Sequence, residues 1–180
     1  MDVTKVDSVD AELINQSSHE PKDMFETYIT TSSKLRKKMI DIYEERLEQQ
    51  RNLLQKKVEL DKDIVHKALY NEYLEKITTI EKEAVDRLNK LSLEREAELA
   101  KDKDELYNYF DKARKELKKW EESNPKRYKK EMKYLDKKES MEIETIQENA
   151  QQLFEQSQKM FDEIVEIFYD NDKVLEEKLS

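Results

Sequence analysis

Residues 153–168 read LFEQSQKMFDEIVEIF, and an apolar pair returns every seven residues through them: Leu153-Phe154, Met160-Phe161, Ile167-Phe168, with Val174-Leu175 one step further on. A seven-residue period is the helical signature of a packed seam, but a two-stranded coiled coil needs only a narrow one. Here three rows run side by side. Met132, Glu139, Ile146, Leu153, Met160, Ile167 and Val174 form the row that reads as the main one. Leu135, Ile143, Ala150, Ser157 and Ile164 flank it, and Phe154, Phe161, Phe168 and Leu175 form a third. Three rows predict the broad face of a bundle or docking helix, covered on more than one side.

Composition restricts what else the chain can be. Of 180 residues, 43% are charged, none is glycine or cysteine, and only two are proline. Without glycine there are few inexpensive left-handed turns or helix C-caps. Long helices with few reversals are the expected result, and the Glu/Lys/Leu/Gln-rich alphabet favours them. The fold class is therefore read as all-α, with long helices forming a helical hairpin or an elongated coiled-coil bundle.

Residues 1–20 are polar, acidic and aperiodic, and read as a disordered acidic tail. A long helical, coiled-coil segment is expected over 21–122, starting at Pro21 and open to breaks at the hydroxyl cluster 30–33 and at a phase slip over 60–64. Its clearest seam is Tyr70, Tyr73, Ile77, Ile80, Ala84, Leu88 and Leu91. Glu121-Glu122-Ser123-Asn124-Pro125 is the strongest break, with Asn124 suited to cap a new helix and Pro125 to its first position. A second long helix over 125–180 would then fold back antiparallel on the first.

Chemistry is hard to build from these letters. His19 and His66 are the only histidines and lie far apart, so a zinc site lacks clustered ligands. Paired carboxylates such as Glu94/Glu98 and Glu142/Glu144 belong to solvated faces in a chain this charged. A glycine-rich phosphate loop is impossible. No enzyme activity, cofactor, metal or small-molecule substrate is expected.

The interface is instead assigned to Ile146, Leu153, Phe154, Met160, Phe161, Ile164, Ile167 and Phe168, together with Ile77, Ile80, Leu88 and Leu91. These rows are to be covered by the chain itself, a second copy or another protein, with protein partners and a homo-oligomer expected. A second feature is PKRYKKEMKYLDKK at 125–138, where residues 126–138 hold seven Lys/Arg against two Asp/Glu, while 139–180 hold three Lys against twelve Asp/Glu. Lys126, Arg127, Lys129, Lys130 and Lys133 are the candidate contacts for an anionic surface. The favoured reading of this stretch is a solvated helix face whose charges pair with nearby acids, because the chain is net −9. Nucleic acid is disfavoured on the same count, and a membrane surface ranks behind protein partners.

Three blocks carry a family resemblance: IYEERLEQQRNLLQKK at 42–57, EYLEKITTIEKEAVDRLNKLSLEREAEL at 72–99 and FDKARKEL at 110–117. Together they make residues 42–118, under half the chain, resemble the coiled-coil segment of the suppressor-of-defective-silencing and breast-cancer-metastasis-suppressor family. Members of that family are subunits of histone deacetylase corepressor complexes. The resemblance implies a nuclear scaffold that dimerises through this segment.

The expected function is thus a non-catalytic coiled-coil scaffold or assembly subunit of a multiprotein complex, a corepressor subunit being one version. The alternatives are a peripheral membrane-binding helical dimer, or a subunit of a cytoskeletal, kinetochore or trafficking complex. The expected compartment is intracellular, nuclear or cytoplasmic. The acidic N-terminus does not resemble a secretory signal, and no apolar run is long enough to span a bilayer.

Overall fold

The computed structural model describes residues 21–61 and 63–179, and they form three long helices with no strand among them: α1 (Pro21–Leu60), α2 (Ile64–Leu117) and α3 (Pro125–Leu179). The acidic segment 1–20 lies outside the described residues. At about 1.5 Å per residue, α2 and α3 are each roughly 80 Å long.

The two reversals are made without any positive φ among the described residues. At the elbow between α1 and α2, the Asp61 carboxylate accepts from the Asp63 N–H at 3.0 Å, and Asp63 in turn caps the Val65 N–H at 2.9 Å. The second reversal passes through a short 3₁₀ turn, Lys118–Trp120. Asn124 then closes it, donating its N–H to the Trp120 carbonyl at 2.8 Å and accepting from the Arg127 N–H at 3.3 Å. Pro125 fills the first helical position, where its missing N–H has no partner to lose.

The cluster 30–33 does not interrupt α1, contrary to one sequence expectation. Thr31 returns its hydroxyl to the Thr27 carbonyl at 2.8 Å, and Ser32 meets Ser92 of α2 at 2.9 Å. The hydroxyls that would favour a turn are thus taken up by the preceding turn and the neighbouring helix.

Cross-helix contacts give the topology. Glu26, Ser32 and Arg46 of α1 meet Lys103, Ser92 and Glu81 of α2, so these helices are antiparallel. Arg114, Arg95 and Glu81 of α2 meet Glu139, Ser157 and Asn171 of α3, again antiparallel. Tyr28 and Arg46 of α1 meet Gln151 and Asp172 of α3, so α1 and α3 run parallel. The result is an up-down-up three-helix bundle. Phe25, four residues into α1, lies level with Tyr107, their rings 5.9 Å apart, so among the described residues the α2/α3 hairpin continues beyond α1 as a two-helix projection of roughly 20 Å.

The core is a single stack of side chains from all three helices. Phe25, Tyr28, Leu35 and Met39 come from α1, Val85, Leu88, Leu106 and Phe110 from α2, and Ala150, Phe154, Phe161, Ile164 and Phe168 from α3. On α3, the heptad positions that face inward are therefore the second and third rows of the sequence reading. The row that reads as the main one, Ile146, Leu153, Met160 and Ile167, is half-buried along the flank, and Val174 is exposed. Both choices satisfy a seven-residue period; the aromatic row wins because it is the larger and meets Tyr43 and the other bulky groups of α1. On α2 the phase differs by one residue at a decisive place, where Glu81 is wholly buried and Ile80 is 57% exposed.

Deleting the fully buried ring with Phe161→Ala should lower stability by about 3–5 kcal/mol, whereas Ile80→Ala should change it by less than about 0.5 kcal/mol. Urea unfolding followed by far-UV circular dichroism measures both.

Candidate interaction surfaces

Several polar side chains are buried between the helices, among them Arg46, Gln50, Glu81, Ser92 and Ser157. Arg46 of α1 enters the core with 8% of its side chain exposed. Its guanidinium lies 2.8 Å from Glu81 Oε1 of α2 and grips Asp172 of α3 at 2.5 Å and 3.2 Å. It also donates to the Phe168 carbonyl at 3.0 Å and lies over the Phe168 ring at 4.0 Å. Gln50 donates to Asp172 at 3.3 Å, and Asn171 to Glu81 at 3.3 Å. One guanidinium therefore ties together all three helices.

Burial pushes the Glu81 carboxyl above the usual carboxylate range, against the opposing pull of Arg46. Its second oxygen and the Gln50 side-chain carbonyl are buried with no hydrogen-bond partner. Such a centre costs desolvation and is weak evidence for stability, but removing one member strands the others.

Two further polar layers repeat the device. Arg36 of α1 reaches Glu96 at 2.6 Å and Ser92 at 3.2 Å, both on α2. Arg95 of α2 donates to Ser157 at 2.6 Å and to the Leu153 carbonyl at 3.1 Å on α3. In the projection, Arg114 bridges Glu139 at 2.7 Å and Asp136 at 3.0 Å, and those bonds raise its pKa further.

The residues assigned from sequence to an interface fall into two groups. Phe154, Phe161, Ile164, Phe168, Ile77 and Leu88 are buried, five of them in the chain's own core cluster. Ile146, Leu153, Met160, Ile167 and Leu91 are half-buried, and Ile80 is exposed. The sequence reading did not find the apolar group around the elbow: Leu53, Leu60, Ile64, Val65 and Leu69 are 51%, 82%, 80%, 65% and 54% exposed. Their signal was present as the phase slip over 60–64, where apolar residues stop following the helical row.

The basic stretch lies on the projecting hairpin. Lys126, Arg127, Lys129, Lys130 and Lys133 are all exposed. Of the cations over 126–138 only Arg127 forms an ion pair among the described residues, with Glu131 at 3.1 Å. The expectation that these charges pair with nearby acids is thus corrected. The acids within reach are either spent on Arg114 or too few.

A groove of about 320 Å³ opens between Tyr28, Ser32, Leu99, Ile146 and Leu153, with Arg95 at its side. It is a gap beside the Arg95 layer, and its two serine hydroxyls are engaged there, Ser32 with Ser92 and Ser157 with Arg95. His66 lies 3.4 Å and 3.6 Å from Asp61 and Asp63 at the elbow, and no group of three or more metal-ligating side chains occurs among the described residues. No described helix is long and apolar enough to cross a membrane.

No family model, curated protein or solved structure matches the chain.

Arg46→Leu should cost about 3–5 kcal/mol by leaving Glu81 and Asp172 without their cation. Glu81 adds a pH signature. Its folded pKa stands above the ordinary 4.5, so the folded state takes up a proton before the unfolded state does. Its ionised form therefore burdens the fold at neutral pH, and that burden lifts as the pH falls through the raised pKa towards 4.5. Wild type should accordingly gain stability relative to Glu81→Gln as the pH is lowered from 7, read from paired urea titrations.

Proposed function

We propose that the chain is a non-catalytic scaffold, an assembly subunit that holds a protein partner at the elbow end of its rod. The observation carrying this reading is the contrast between interior and ends. Along the three-helix body, the large aromatic rows and the arginine layers are consumed in holding the rod together. At the elbow, five large apolar side chains remain exposed on the last turns of α1 and the Asp63-capped start of α2. Solvent-facing apolar groups concentrated in one place mark contact with another protein, and the fitting partner is an amphipathic helix.

The connections support the same reading. Among the described residues they are short, the elbow between Leu60 and Ile64 and the 3₁₀ turn with residues 121–124, so little described loop is available to shape a concave reaction site. A nuclear corepressor subunit is the version that the family resemblance of residues 42–118 favours. A cytoskeletal, kinetochore or trafficking subunit satisfies the same geometry.

The test is affinity purification of the tagged full chain from cells beside the double variant Leu60→Asp/Ile64→Asp, whose sites are exposed and whose helicity should be unchanged. The scaffold reading expects a stoichiometric partner set with the wild type that is lost with the variant. Co-purified histone deacetylase activity would select the corepressor version. Purification of the wild type alone, as a free monomer, would contradict the proposal.

A further inference from the structure

We propose that the projecting end of the α2/α3 hairpin is a contact site for anionic lipid bilayers, met end-on by the rod. This inference does not rest on the scaffold reading, because it concerns the opposite end of the molecule from the elbow.

Charge is sharply divided along the chain. Residues 112–138 hold twelve Lys/Arg against five Asp/Glu, while the rest of the chain holds 22 against 38. The fold brings those 27 residues together, since they are the last turns of α2, the reversal and the first turns of α3. Every residue from Lys118 to Arg127 is exposed. Lys118, Lys119, Lys126, Lys129, Lys130 and Lys133 make no ion pair among the described residues, and the stretch keeps a surplus of positive charge despite Glu121 and Glu122 in the reversal. The partner that complements this end is a phosphate-rich, negatively charged surface.

The net −9 of the whole chain argues against polyanion binding only if the charge is spread evenly. It is not. Salt screens exposed charges beyond about 8 Å at physiological ionic strength, and the body of the rod extends several times that distance from the tip. A flat surface approached end-on therefore meets the cations and little of the acidic body.

The aromatic groups at the tip choose between the two common polyanions. Trp120 lies in the reversal itself, 40% exposed, with the Arg127 guanidinium 4.5 Å above its ring. One face of the indole is therefore occupied and closed to a stacking nucleobase. A partly exposed indole with a guanidinium over it and lysines nearby in sequence suits the headgroup level of a bilayer, where apolar bodies sink and charged heads stay in water. Tyr134, 65% exposed beside Lys130 and Lys133 in sequence, extends the same character. A basic, aromatic end of this kind binds anionic lipid through charge and shallow insertion together.

Trp120 is the chain's single tryptophan, so it reports on the tip alone. The full chain is mixed with vesicles of phosphatidylserine and phosphatidylcholine, or of phosphatidylcholine alone, and assayed by flotation and by tryptophan emission. The expected result is flotation with the phosphatidylserine vesicles only, reversed by high salt and accompanied by a blue shift of emission. The quadruple variant Lys126→Glu/Lys129→Glu/Lys130→Glu/Lys133→Glu, checked for unchanged helicity, should bind at least about tenfold more weakly, as loss of several surface cations requires. No flotation, equal flotation with both vesicles, an unshifted emission on bound protein, or unchanged binding by the variant each overturns the proposal. So does displacement of the protein from vesicles by an equal phosphate concentration of RNA or duplex DNA, which would assign the tip to nucleic acid.

Discussion

The contact of Arg46 with Glu81 and Asp172 is the constraint on which the rest of the structure depends. Long helices with seven-residue apolar repeats have a shared weakness: sliding one helix by a heptad replaces each apolar contact with a similar one. Nothing in the aromatic row of α3 prevents such a slide, since Phe154, Phe161 and Phe168 repeat identically. Arg46 does prevent it. Moving α3 by seven residues would set Val165 or Leu179 where Asp172 stands, leaving a buried guanidinium and the Glu81 carboxylate without part of their partner set. A buried polar residue that fixes helix register at some expense of stability is a known use of such groups. The Arg36 and Arg95 layers act the same way, each between two helices, so the register is specified at several heights.

Fixing the register also fixes where the helices end relative to one another, and the molecule's ends follow from that. With Arg46 level with Asp172, and Tyr28 level with Gln151, α1 cannot reach the reversal at 118–124. The α2/α3 hairpin must project, carrying its cations past the acidic body. At the other end Leu54 and Leu175 close the core, and the elbow lies beyond them with its apolar side chains in water. One internal ion cluster thereby determines which surfaces are left for partners. The polar groups inside are occupied with structure, and the two ends differ in chemistry, one cationic and aromatic, the other apolar.

Much of this architecture was legible in the residues. The lack of glycine, the break at Asn124-Pro125 and the seven-residue recurrence after Leu153 are local or periodic features, and they suffice for an all-α chain of long helices. Two things were not legible. At each Leu-Phe, Met-Phe or Ile-Phe pair both residues obey the period, so the sequence cannot say which faces inward; that depends on the shape of the helix opposite. At Ile80-Glu81 hydrophobicity argues for the wrong residue. Glu81 enters the core because Arg46 waits there, and the two are 35 positions apart. The basic tip was visible as a run of lysines, but its projection past the described end of α1 is a fact of tertiary register.

Within one molecule, α1 lies parallel to α3 in the register that Arg46 sets. The most direct test uses the absence of cysteine to place two spin labels alone, at Glu48→Cys on α1 and Lys173→Cys on α3, both exposed positions near the Arg46 layer. Dipolar spectroscopy should give one narrow distance of the size expected for neighbouring helices, whose axes lie about 8–10 Å apart, lengthened by the label arms. It should persist when labelled protein is diluted into unlabelled chain. A distance that is long or broad, or that vanishes on dilution, would rule out this arrangement, because α3 would then find its cover elsewhere than on its own α1.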